Sequence, residues 1–156
     1  MLINKSLNKT RAHGERRIYM KEGTSFDLFL TAMGSGLEVS IALDVMRAVG
    51  HNGYLKLNQV EFAEKRETTR VTVSKVFKKG LDSGALMPVG RRWYLNPYMV
   101  LPYNLKDEYC NKLQQQWDQL VRLYGAKGKV TLNEALLIHE DIFGPELTID
   151  MVTGEF

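Results

Sequence analysis

The sequence predicts a mainly helical α+β fold, and three observations support this. Apolar residues recur every three or four positions through most of the chain, which is the spacing of amphipathic helices. Two short stretches, 86–89 and 93–96, are rich in strand-forming residues and flank Gly90-Arg91-Arg92, so they predict a β-hairpin with a basic tip. The 156 residues, 44% hydrophobic and 25% charged, are typical of one folded domain with at most an appendage.

The first fifty residues predict an arm, a strand and two helices. Residues 1–16 are polar and basic and lack periodicity, so we expect a basic flexible arm. A short strand is expected over 16–20 and a short helix over 24–33. Residues 37–49 are apolar on most sides, as expected of a helix at the centre of the core.

The next stretch, 54–96, predicts a strand and two helices before the hairpin ends it. Residues 54–57 alternate between apolar and polar as in a short strand. A capping-box spacing then predicts a helix over 59–66. After a short break we expect a second helix over 69–83, with Gly84 as its left-handed C-cap.

Gly80 is unusual in this second helix. Glycine costs about 1 kcal/mol relative to alanine in a helix interior, and such helices usually carry a large apolar residue here. We therefore expect one of two outcomes. Either Leu81 takes over the packing with a local irregularity, or the helix ends early near Lys79.

Residues 105–143 are expected to form a helical extension. Apolar residues at intervals of three or four predict a long amphipathic helix over 105–124 that stops at Gly125. A capping box that starts at Thr131 begins the final helix. After it, residues 144–156 carry only acidic charges and are interpreted as an acidic tail.

Charge is divided unevenly along the chain. Residues 1–100 hold 16 Lys and Arg against 9 Asp and Glu, a balance of +7, whereas 101–156 hold 5 against 9, a balance of −4. No Lys or Arg follows Lys129. A basic body with an acidic end fits a surface that binds a polyanion and a tail that avoids it, although an ordinary solvated surface would also explain the pattern.

Several other classes of protein fit the sequence poorly. The single cysteine, Cys110, cannot form an internal disulfide, which favours a reducing cytoplasm. The three histidines are too scattered for a metal site, and no glycine-rich phosphate-binding motif occurs, so we expect neither an enzyme nor a cofactor. The longest apolar stretches are far below the ~18 residues that cross a bilayer, so no membrane partner is expected.

The order strand, helix, break, helix and basic hairpin is that of a winged helix-turn-helix, whose second helix enters the DNA major groove. We therefore interpret 17–104 as a winged-helix DNA-binding domain. Arginine, threonine and lysine on the open side of the second helix suit contacts to base edges, and basic residues further along and at the hairpin tip suit phosphates. The candidate DNA contacts are Thr68, Thr69, Arg70, Thr72, Ser74, Lys75, Lys78, Lys79, Arg91 and Arg92.

With this helix pair and the Trp93-Tyr94-Leu95-Asn96-Pro97 motif, the sequence resembles the small plasmid replication proteins of the RepL type over about residues 17–100. Those proteins join a winged helix to a strand that ends in an aromatic–x–Asn–Pro motif. The resemblance implies a replication initiator that recognises its plasmid origin and recruits host replication proteins. Carried over by position, the residues that read DNA would be Thr69, Arg70, Thr72 and Lys75.

The expected partners are double-stranded DNA, a second copy of the chain, and host replication proteins through the acidic C-terminal region. The candidate dimerisation stripe on helix 105–124 is Tyr109, Leu113, Trp117, Leu120, Val121 and Tyr124. Two alternatives stay open: a transcriptional or copy-number repressor that uses the same DNA surface, and a winged-helix protein–protein adaptor without DNA binding.

Overall fold

The computed structural model describes residues 9–10, 18–20, 24–102 and 105–144. Within them the fold is α+β and mainly helical, as predicted. The helices are α1 (Thr24–Thr31), α2 (Gly36–Arg47), α3 (Gln59–Lys65), α4 (Arg70–Asp82), α5 (Asp107–Lys127) and α6 (Leu132–Phe143). The strands are β1 (Lys9–Thr10), β2 (Ile18–Met20), β3 (Leu86–Val89), β4 (Arg92–Leu95) and β5 (Val100–Pro102).

Helix starts follow the local capping signals closely. Asn58 and Glu61 form the predicted capping box of α3, and Thr131 and Glu134 form that of α6. Each pair satisfies two backbone N–H groups that the first helical turn leaves without a partner. The predicted left-handed residue after α4 is also found, since Gly84 has φ of +82°. These helix boundaries are therefore confirmed to within a few residues.

A first hydrophobic core lies among α1, α2, α3, α4 and one face of the β3–β4 hairpin. The predicted central helix, α2, buries Ile41, Ala42, Val45 and Met46 in it. Aromatic rings join its layers: Phe62 and Phe77 have centroids 5.8 Å apart, and Phe77 and Trp93 meet edge to face at 5.1 Å. Edge-to-face pairs of this kind stabilise a core beyond the area that they bury.

The hairpin has the predicted position, and a third segment lies against it. β3 and β4 are antiparallel, with Leu86 opposite Leu95 and Val89 opposite Arg92. The segment predicted as strand 54–57 is reduced to backbone bridges, in which the N–H of Leu55 donates to the carbonyl of Trp93 at 2.9 Å. The chain turns into the α3 cap directly afterwards, which leaves no length for a longer strand.

A second sheet has the order β1–β2–β5 and is antiparallel throughout. It pairs Lys9–Thr10 with Tyr19 and Ile18, so the prediction that the whole of 1–16 is a flexible arm is wrong at these two residues. This strand is held by backbone hydrogen bonds to its neighbour, and such bonds leave no pattern in the polar sequence of the segment. The rest of the predicted arm and residues 145–156 of the predicted acidic tail lie outside the described residues.

A second hydrophobic core lies on the opposite face of the hairpin, where α5 and α6 cover it. Strand residues alternate between the two faces, so Leu86 and Leu95 enter the first core whereas Met87 and Tyr94 enter the second. Its members are Tyr54, Met87, Val89, Tyr94, Trp117, Leu120, Val130 and Ala135. The helices predicted as an extension therefore complete the fold around the hairpin.

Three polar side chains are joined by hydrogen bonds inside this second core. Gln116 donates from Nε2 to the Tyr94 hydroxyl at 2.7 Å, and its Oε1 lies 2.8 Å from Nδ1 of His139. All three side chains are buried, so these hydrogen bonds offset part of the cost of removing polar atoms from water. Burial raises the pKa of Tyr94 well above its ordinary value.

Both outcomes expected for Gly80 are wrong, since the helix does not end near Lys79 and Leu81 is not among the residues that pack in either core. α4 continues through Gly80 to Asp82 without ending early, and Gly80 itself is buried. A Cβ added here would lie 2.6 Å from Cδ1 of Leu86, closer than packed atoms approach. Glycine therefore lets β3 pack directly against the α4 backbone, a requirement that helix propensity cannot indicate.

The predicted end of α5 at Gly125 is also wrong. Gly125 lies inside the helix with open space around it, so its only cost there is the lower helix propensity of glycine. The helix ends three residues later at Gly128, which has φ of +78° and donates its N–H to the carbonyl of Tyr124 at 2.7 Å. This left-handed end is the usual glycine C-cap.

Among the described residues, no helix combines the length and the apolar character needed to cross a bilayer.

Candidate nucleic-acid interface

The joint between α3 and α4 fixes how α4 is presented to solvent. Glu67 adopts φ of +53°, in the left-handed region, and the N–H of Thr68 returns to the carbonyl of Ala63 at 2.9 Å. Thr69 then caps α4 by accepting the N–H of Thr72 at 3.3 Å. Ala63 is buried at this joint, where a small side chain lets the two helices approach each other.

The inner face of α4 packs against the first core through three buried side chains, Val73, Val76 and Phe77. The opposite face is exposed and basic. It carries Arg70, Val71, Ser74, Lys75 and Lys78. Within the part of the chain that the structure describes, Arg70, Lys75 and Lys78 form no ion pair, so their charges remain available to a ligand.

Val71 was missed by the sequence reasoning. Its side chain is 66% exposed, although it is an aliphatic residue beside Arg70 on the first turn of α4. The sequence feature that could have identified Val71 is its position around the helix, because it lies outside the buried stripe that Val73 and Phe77 form. An exposed aliphatic group in this position is suited to contact a thymine methyl group.

The predicted hydroxyl contacts lie on or near this face, but they already have partners in the protein. Ser74 Oγ donates to Oε1 of Gln59 at 2.6 Å, and the hydroxyls of Thr69 and Thr72 are 3.2 Å apart. Thr68 is half-buried in the joint. Ser74 therefore joins α4 to α3, whereas Thr69 and Thr72 stabilise the first turn of α4. A contact to DNA through any of the three would be shared with these structural roles.

Lys79 lies on another side of α4, which corrects its assignment as a phosphate contact. Its Nζ forms an ion pair with Oε1 of Glu38 at 2.6 Å and thereby joins α4 to α2. The same carboxylate accepts the N–H of Gly34 at 2.7 Å. That backbone hydrogen bond, followed by the hydrogen bond from Lys79, lowers the pKa of Glu38.

The two hairpin arginines have different surroundings. Arg91 is exposed in the turn beside Gly90, as expected of a hairpin tip. Arg92 is the first residue of β4 and is half-buried, with its guanidinium carbon 4.5 Å from the centroid of the Tyr54 ring. Burial lowers the pKa of Arg92. Its cation–π contact anchors the base of the turn, so Arg91 is the better candidate for a DNA contact.

A groove of about 670 Å³ lies between the start of α3, the start of α4 and the hairpin turn. It is lined by residues 55–61, Arg70 and residues 91–93. Its cationic side chains are Lys56, Arg70, Arg91 and Arg92, against the single carboxylate of Glu61. Lys56 is a site residue that the sequence reasoning missed, because only the fold places it opposite the hairpin.

The candidate dimerisation stripe is mostly used inside the chain. Leu113, Trp117 and Leu120 are buried, and Tyr124 packs against the second core. Tyr109 donates its hydroxyl to the carbonyl of His51 at 2.9 Å and is half-buried. Only Val121 of the six is exposed, at 43%. The assignment of this stripe to a dimer interface is corrected, because the same apolar side chains cover the hairpin.

No three His, Cys, Asp or Glu side chains converge in a metal-binding arrangement within the described ranges. Comparisons of the chain with protein-family models, with curated proteins and with solved structures found no match.

Proposed function

We propose that this chain is a winged-helix protein that binds duplex DNA, with α4 in the major groove and the β3–β4 turn as the wing. The observation that carries the proposal is the shared groove, in which Arg70 at the start of α4 and Arg91 at the hairpin turn line one cationic surface. Both arginines lack ion pairs among the described residues, so no carboxylate of these residues forms an ion pair with either of them.

The dimensions of α4 suit the major groove. An α-helix with its side chains is about 10–12 Å across and the major groove is about 12 Å wide. Recognition helices contact bases with residues near their N-terminus, and Arg70 is the first residue of α4. Arginine bonds the two acceptor atoms of guanine, whereas Lys75 and Lys78 further along the helix suit phosphates.

The expected electrostatic signature is a strong salt dependence. Each phosphate contact contributes about −0.9 to the slope of log affinity against log salt concentration. Without Lys79, the exposed cations Lys75, Lys78 and Arg91 give three candidate phosphate contacts and a slope of roughly −3.

For the biological role we propose plasmid replication initiation or control in the cytoplasm. The support is the resemblance of Trp93-Tyr94-Leu95-Asn96-Pro97 to the aromatic–x–Asn–Pro motif of RepL-type proteins. Asn96 is buried, donates from Nδ2 to the carbonyl of Gly84 at 2.9 Å, and accepts the N–H of Tyr98 at 2.8 Å. It thereby ties the end of the hairpin to the end of α4. The acidic C-terminal region remains our candidate for recruiting host replication proteins.

We retain a second copy of the chain as a proposed partner, since dimeric helix-turn-helix proteins bind two half-sites. Its interface must differ from the inward stripe of α5. The solvent-facing side of that helix, which includes Val121, is the part that the fold leaves accessible.

The test is a selection of plasmid and genomic fragments by the purified full-length chain, followed by anisotropy titrations at two salt concentrations. Enrichment of one motif with far higher affinity than random duplex supports the proposal. An array of motifs near an origin favours an initiator, and a single site over a promoter favours a repressor. Absence of both enrichment and salt-dependent binding overturns the DNA proposal and favours the protein–protein adaptor.

A further inference from the structure

The loop between α5 and α6, residues 128–131, is held directly against the hairpin turn. The N–H of Gly90 donates to the carbonyl of Val130 at 2.9 Å. A Cβ added to Gly90 would lie 3.6 Å from the backbone nitrogen of Leu132, in ordinary van der Waals contact. Val130 itself is buried in the second core. The loop is therefore a fixed neighbour of the proposed wing.

The two lysines of this loop region differ in their electrostatic environment. Lys127 forms an ion pair with Glu134, so a carboxylate neutralises its charge. Lys129 is exposed, and it forms no ion pair with any residue that the structure describes. Lys129 directly precedes Val130, whose carbonyl accepts the hydrogen bond from the N–H of Gly90. Lys129 therefore presents an uncompensated cation beside the hairpin turn.

The hairpin turn lies between two grooves. On one side is the cationic groove shared with Arg70, and on the other is a smaller groove of about 300 Å³ whose lining includes Gly90 and Lys129. Free cations are thus provided by three separate parts of the chain: Arg70 of α4, Arg91 of the turn and Lys129 of the loop. The hydrogen bond from Gly90 to Val130 holds the loop that carries Lys129 next to the turn that carries Arg91.

We propose that Lys129 binds a DNA phosphate on the side of the wing away from α4, so that the α5–α6 loop is a third part of the DNA-binding surface. The inference rests on the proposed DNA-binding function. It assigns the C-terminal helices two roles, since they cover the hairpin and also extend its charged surface. A lysine is suited to this task because it contacts phosphate as a point charge without reading sequence.

The experiment compares Lys129→Gln with the matched control Lys106→Gln in full-length protein. Lys106 is also exposed, but it precedes the first residue of α5 and is separated from the loop by a helix about 30 Å long. We expect Lys129→Gln to weaken binding equally on selected and random duplexes and to reduce the magnitude of the salt slope by about 0.9. Lys106→Gln should leave both quantities at the wild-type values.

Phosphate ethylation interference gives a second readout that locates the contact. Wild-type protein should show interference at a phosphate beyond those assigned to α4 and Arg91, and Lys129→Gln should lose only that signal. Lys129→Arg should keep it. Thermal unfolding of each variant checks that the fold is unchanged.

The outcomes separate the two proposals. If wild-type protein binds no DNA, the proposed function fails. A different set of results overturns only the assignment of Lys129. In that case wild-type protein binds DNA and Arg91→Gln reduces the magnitude of the salt slope, but Lys129→Gln keeps the wild-type slope and interference pattern. The proposed function then stands.

Discussion

Lys78 and Lys79 show how differently two neighbouring residues of the same type can be placed. Lys78 is exposed on the open side of α4, whereas Lys79 pairs with Glu38 of α2. If the chain binds DNA as proposed, Lys78→Gln should reduce the magnitude of the salt slope by about 0.9, because it removes one proposed phosphate contact. Lys79→Gln is the control and should leave the slope unchanged. Anisotropy titrations over a range of salt concentrations measure both, and equal effects of the two substitutions would contradict this assignment.

Gly80 and Gly125 form a second informative pair, since both lie inside helices. Alanine at Gly80 must displace the buried Leu86 side chain, so we expect Gly80→Ala to lower the free energy of unfolding by about 1–3 kcal/mol despite its better helix propensity. Gly125 has open space around it, so Gly125→Ala should raise the free energy of unfolding by up to about 1 kcal/mol. Denaturant unfolding compares the two. A stabilising Gly80→Ala would show that β3 does not pack on the α4 backbone as described.

At the scale of elements, the start of α6 depends on the ionised state of one carboxylate. Glu134 accepts hydrogen bonds from Lys127 and from the N–H of Thr131, and these lower its pKa to about 2. A pKa below the ordinary 4.5 stabilises the folded state above pH 4.5, and this contribution is lost as the pH falls toward about 2. The hydrogen bond with Lys127 is the larger cause, so the ion pair and the capping box act together.

We therefore expect Glu134→Gln to remove this part of the acid dependence. Glutamine keeps the capping geometry but has no charge to titrate. Thermal unfolding of wild type and variant between pH 7 and pH 2 measures the difference, with Glu108→Gln as a control on an exposed residue near the start of α5. If the stability difference between Glu134→Gln and wild type stayed constant from pH 5 to pH 2, Glu134 would not be the titrating group.

At the scale of the whole molecule, the hairpin connects two cores and α5 closes the second. Trp117 is buried, and its ring lies 5.8 Å from that of Tyr94. We expect Trp117→Ala to lower the free energy of unfolding by about 3–5 kcal/mol, the usual cost of truncating a buried aromatic residue. Because the packing is intramolecular, this loss should be independent of protein concentration. Unfolding at two concentrations a hundredfold apart tests this, and a loss that depended on concentration would place Trp117 in an interface between copies.

Local patterns in the sequence predicted most of the helices and the hairpin. Capping boxes, helical periodicity and a glycine C-cap act over about four residues, so they are visible without a structure. The same reasoning identified Arg70, Lys75, Lys78 and Arg91, which the structure shows exposed on α4 and the hairpin turn. It failed for the paired segment at Lys9–Thr10, whose strand character depends on a partner rather than on its own side chains.

Short-range patterns along the chain therefore predict the type and order of most elements and the basic character of α4 and the hairpin. Long-range packing establishes which of those cations already have partners, because the partner of Lys79 lies 41 residues away and the ring below Arg92 lies 38 residues away. It also decided that the apolar stripe of α5 faces the hairpin rather than a second copy. An amphipathic pattern shows that a face must be buried, but the partner that buries it is selected by long-range packing.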